Sequence, residues 1–159
     1  MATGSLLAAS LATETATAVI TVPPPDSNPD CSGAAASQGV IWPPDHKMWP
    51  ITVVGVTDPN GLPLMISVVS IYQDEPVDSL GSGNTAPDGT GIGTPTAYVR
   101  AERSGLGTGR YYIITFNVTN TVGLQCTATV QPYVPHDQGQ GFNPTDTGQR
   151  WDSTSVPAE

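Results

Sequence analysis

Acidic side chains and arginines carry whatever chemistry this chain could do. Asp74 and Glu75 in "QDEPVD", Asp78 just after them, Asp88 in "TAPDG" and Asp137 in "PHDQG" all stand at the ends of strand-like segments. Three of the five basic residues, Arg100, Arg103 and Arg110, fall within "YVRAERSGLGTGRYY". Carboxylates brought together repel one another, so a fold that gathers these strand ends needs arginines or a cation to offset the charge. Calcium suits such a place, because it accepts roughly six to eight oxygens from flexible loops. Glu75, Asn84, Asp88 and Asp137 are the candidate ligands, and Arg100, Glu102 and Arg103 are the candidate ionic network beneath them. The acids do not form the contiguous loop of an EF-hand, and an ion-pair network without metal accounts for the same residues.

Catalysis finds little support. The two histidines, His46 and His136, each sit beside an aspartate, but neither belongs to an HExxH motif or a nucleophile elbow. Asp74 and Glu75 are neighbours, and adjacent strand residues face apart, which is a poor arrangement for a pair of glycosidase carboxylates. No catalytic residue is assigned, and the chain is not expected to be an enzyme. Trp42, Trp49 and Trp151 could line a sugar platform, or Trp42 and Trp49 could pack against the neighbouring prolines. The sequon at Asn117 falls inside a predicted strand, where glycosylation is not expected.

The elements that position these residues follow from composition. A chain of 159 residues with 17 Gly, 16 Pro and 12% charged residues is expected to be a single all-β domain with tails, built of short strands and many turns. Fourteen acids against five bases give a net charge of -9, which argues against nucleic acid and anionic membrane as partners. The cysteines, Cys31 and Cys126, form no CxxC or Cys/His cluster, so they are either one disulfide or two free thiols. A disulfide would imply an oxidising compartment. The apolar N-terminus lacks a basic n-region and is interrupted by Glu14, so it reads as neither a signal peptide nor a membrane helix. Export would then require a signal removed from a longer precursor.

"TATAVITV", residues 15–22, reads as a strand ended by three prolines. Residues 26–38 are turn-rich, and 40–57 form a strand pair interrupted by prolines. The Asp-Pro-Asn-Gly turn in 57–63 should join that pair to a strand over 64–73 in a hairpin. Residues 79–96 make a long loop. Segments 97–103 and 110–118 should form a second hairpin around "SGLGTG", and the last strand is "QCTATVQPYV". The residues from Pro135 onward should be irregular. Short strands at this spacing predict an antiparallel β-sandwich.

Six runs occur in an order that resembles a known family. "IWPPDHK" (41–47), "TDPNGLP" (57–63), "QDEPVD" (73–78), "GSGNTAPD" (81–88), "RAERSG" (100–105) and "PHDQG" (135–139), with "DCS" around Cys31, are similar to immunoglobulin-like modules of the hyalin-repeat and PKD type from bacterial extracellular proteins. The resemblance implies an immunoglobulin-like β-sandwich over residues 30–140, a separate N-terminal strand and proline linker over 1–29, and an extended polar tail over 141–159. Family members often carry acids where Asn60 and Leu62 stand, so the turn at 57–63 is not expected to hold a cation. They also often carry a further cysteine pair; the pair present here, Cys31 with Cys126, would tie the segment leading into the module to the last strand.

"TATAVITV" lies outside the module and resembles the last strand of such a module. It is either the end of a preceding module or a donor strand, with Ala16, Ala18, Ile20 and Val22 on one face. The donor reading implies an extracellular or cell-surface filament subunit whose copies assemble by β-strand addition. The alternative is a calcium-stabilised adhesin or a carbohydrate-binding module of a larger surface protein.

Overall fold

The computed structural model describes residues 25–78, 81–139 and 144–156. The expected N-terminal strand, with Ala16, Ala18, Ile20 and Val22, lies outside them. The strands in chain order are β1 (Ala35–Ala36), β2 (Met48–Ile51), β3 (Val53–Val54), β4 (Leu64–Gln73), β5 (Gly89–Thr90), β6 (Ala97–Arg100), β7 (Gly109–Asn120), β8 (Gln125–Val130), β9 (Tyr133–Pro135) and β10 (Trp151–Asp152).

"RYYIITFNV" alternates with a period of two, and the structure uses that alternation directly. Tyr112, Ile114, Phe116 and Val118 of β7 have no exposed surface, while the residues between them are only partly covered. β7 is the axis of the larger sheet, whose order is β10-β4-β7-β8, with β9 also pairing with β7. A smaller sheet of order β2-β6-β5 and a ribbon of β1 with β3 face it. Every named strand pairing is antiparallel. Ile51, Val53, Ala97 and Val99 from the facing strands meet Val68, Ile71, Ile114, Phe116 and Val130 from the larger sheet in one core. The described residues form an all-β sandwich, as composition predicted. The Cys31–Cys126 disulfide is formed and fastens the N-terminal part of the sandwich to β8.

Both expected hairpins are absent. β6 pairs with β2 and β5 rather than with β7, and β4 pairs with β7 and β10 rather than with the strands before it. The loops "TDPNGLP" and "SGLGTG" therefore carry the chain from one layer to the other. Turn chemistry specifies a change of direction, and the choice of partner is settled by which faces the core buries. Hairpins form instead between β5 and β6 and between β7 and β8, where Asn120 N donates to Leu124 O and Gly123 takes the left-handed φ of 86° that a glycine tolerates. Within the expected long loop Gly89–Thr90 adds β5, and within the expected irregular tail Trp151–Asp152 adds β10 along β4.

One irregularity matters for everything below. The β4–β7 register shifts between Val68 and Ser70, so Val69 is an extra residue in β4. A side chain on the strand changes face when the count slips by one. Val68 points inward before the bulge and Ile71 and Gln73 point inward after it, which places a glutamine on the buried face.

Candidate functional site: a buried ionic network, a cleft and the β8 edge

Arg110 shares the inward face of β7 with Tyr112, Ile114 and Phe116, and it is fully buried. A lone guanidinium there would be prohibitively costly, so its partners are close. Its Nε lies 3.1 Å from Glu75 Oε2 and its Nη1 lies 2.8 Å from Asp88 Oδ2. Gln73, turned inward by the bulge, donates from Nε2 to the same Asp88 oxygen at 2.9 Å and to the Glu75 carbonyl at 3.0 Å. Arg100 Nε continues the chain, 3.3 Å from Asp88 Oδ1 and 3.7 Å from Glu102 Oε2. Thr85 Oγ1 donates to Glu102, and His46 Nδ1 lies 3.5 Å from the same carboxylate.

Charges alternate along this path: Glu75, Arg110, Asp88, Arg100, Glu102. Burial works to lower the Arg110 pKa, but Tyr112, Asp88 and Glu75 more than reverse it, so the guanidinium stays charged. Burial also pushes the Tyr112 phenol up, and its hydroxyl donates to the Arg100 carbonyl at 2.8 Å. Gly83, at a φ of 95°, lies where an added Cβ would run into Glu102 and His46, so the loop closes over the network only with glycine there.

The structure brings together some of the expected residues and separates others. Glu75 and Asp88 converge, but on Arg110. Asn84 and Asp137 are exposed, and the Asp137 carboxylate accepts Gly139 N at 2.7 Å, the main cause of its lowered pKa. No group of three or more His, Cys, Asp or Glu side chains is placed to hold a metal among the described residues. Arg100 and Glu102 lie in the network, 3.7 Å apart. Arg103 instead donates from Nε and Nη2 to the His136 carbonyl, at 3.2 and 2.8 Å. Trp49 packs on the core, and Asn117 donates to Thr119 Oγ1 from the middle of β7. Because Arg110 already offsets Glu75 and Asp88, melting curves recorded with calcium and with EDTA are expected to overlay. A drop of several degrees on chelation would instead support a bound calcium ion.

Two further features lie on opposite sides of the larger sheet. Beside β10 is an open cleft of about 330 Å³ lined by Asp74, Glu75 and Pro76, by Ser104, Leu106 and Gly107, and by Thr147, Gln149 and Trp151. At the other end of the strand order is β8, with no described strand beyond it. The outer edge of β4 is covered by contrast: β10 pairs at Tyr72 and Gln73, and Val68 exchanges backbone hydrogen bonds with Gly93 and Thr94 at 2.9 and 2.8 Å.

No family model, curated protein or solved structure matches the chain. The class defined here is therefore an all-β, disulfide-linked sandwich with a buried ionic network.

Proposed function

We propose that this chain is an extracellular structural subunit that assembles by β-strand addition, with residues 15–22 of one copy pairing along β8 of the next. The observation that carries this reading is the contrast between the two sides of the larger sheet. β4 has backbone partners on its outer side at Val68 and from Ile71 to Gln73, whereas β8, "QCTATV", pairs with no described strand on its outer side and has no proline, charge or bulge there. Sheet edges are commonly blunted by such features, and an unguarded edge is a template for another strand. Ala16, Ala18, Ile20 and Val22 alternate in the way an added strand needs in order to turn one small apolar face toward the core. Donation of this kind is heterologous and does not close, so it yields fibres. The disulfide supports an oxidising, extracellular setting.

Electron microscopy of the full chain beside a variant lacking residues 1–22 tests the proposal. Fibres from the first and monomers from the second are expected. Monomers from both would make residues 15–22 the remnant of a neighbouring module and would remove the filament reading.

A further inference from the structure

We propose that the cleft beside β10 is a binding site for neutral saccharide units. Its volume of about 330 Å³ lies at the lower end of the roughly 300 to 1,000 Å³ found for small-ligand sites. Its walls divide by chemistry. Trp151, Leu106 and Pro76 supply apolar surface, and Leu106 is 94% exposed. Asp74, Glu75, Ser104, Thr147 and Gln149 supply hydrogen-bonding groups among them. A pyranose ring presents C–H groups on its faces and hydroxyls at its rim, which matches an indole and a leucine beside a polar floor.

The polar floor is held before any ligand arrives. Asp74 Oδ1 accepts Tyr111 N at 2.8 Å, and Oδ2 accepts Thr147 N at 3.1 Å. Glu75 Oε2 accepts Ser104 N at 2.8 Å as well as the Arg110 guanidinium. Gly107 permits this closeness, because a Cβ there would lie 2.6 Å from Glu75 Oε1. Trp151 is fixed by pairing with Gln73 across β10 and β4. Acceptors placed in this way cost little further ordering when a ligand binds.

The charge balance selects a neutral ligand. Arg110 already answers Glu75, so a second cation would meet a guanidinium behind the carboxylate. Arg150 likewise answers nearby Asp146, with its Nη1 and Nη2 each 2.8 Å from a carboxylate oxygen, so both flanking cations are engaged and Asp74, held by backbone N–H groups alone, adds an acidic wall that disfavours uronates and sulfated glycans. Hydroxyls can donate to the remaining carboxylate lone pairs without adding charge. The site is independent of the proposed assembly, since β10 and β8 lie at opposite ends of the sheet order and an added strand at β8 leaves the cleft open.

Titration calorimetry of the whole chain with cellotetraose, with the tetramer of N-acetylglucosamine and with a tetrauronate tests the site. At least one neutral tetramer should bind with a millimolar or lower Kd, and the uronate should not. Trp151→Ala should weaken the neutral ligand roughly tenfold or more. Leu106→Ala, which removes a side chain that supports no core contact, should weaken it several-fold with an unchanged melting curve. Failure of both neutral probes at millimolar concentration would overturn the proposal. So would preferential binding of the uronate, or affinities unaffected by the Leu106 change.

Discussion

Replacing Arg110 with methionine should remove roughly 3 to 5 kcal/mol of stability and lower Tm by on the order of 10 °C. Methionine fills similar space, so the loss comes from charge rather than volume. Glu75 and Asp88 would keep their buried positions without the guanidinium that lies 3.1 and 2.8 Å from them. Thermal denaturation followed by circular dichroism measures the effect. Adding Glu75→Gln and Asp88→Asn to the same variant should recover much of the loss, since a buried pair replaced on both sides leaves no unpaired charge. A fall of only a degree or two in the single variant would show that water reaches Arg110 and that the network contributes little.

Breaking the Cys31–Cys126 bond should have an effect of similar size. It closes a segment of 95 residues, for which the chain-entropy model gives roughly 4 to 5 kcal/mol at room temperature. The paired Cys31→Ser and Cys126→Ser variant should therefore melt well below the parent under oxidising conditions and match the parent treated with dithiothreitol. Coincident melting of oxidised and reduced protein would mean that the unfolded chain is already compact enough for the cross-link to restrict nothing. The two losses should be nearly additive, because the residues share no partner.

The sequence was legible where the signal is local. The ten residues of β4, the β7–β8 turn and the all-β class can all be read from alternation, Gly and Pro. The two false hairpins show where local reading stops, because a turn does not say which sheet receives the next strand. Arg110 was open to a better reading. It stands two positions before Tyr112 and four before Ile114 in an alternating run, so periodicity places it inside, whereas its charge suggests the exposed end of a hairpin. Gln73 was not legible by that route, since the bulge at Val69 changes the count and no residue in "LMISVVSIYQ" announces it. Glu75 and Asp88 stand out in the sequence by charge alone, and the structure places both against Arg110. What they converge on depends on the face of β7 that carries Arg110.

The crossing loops also govern how this chain must fold. Leu64 pairs with Asn120 and Gln73 with Tyr112, so the central contacts of the larger sheet close only after the intervening strands have been threaded through the other layer. Loop closure of that kind costs entropy before it returns any burial, which places the domain among slow folders rather than among those that zip from a local nucleus. During that delay the β8 edge is exposed beside the growing core, so the time a chain spends half-folded sets how long it is open to the wrong strand.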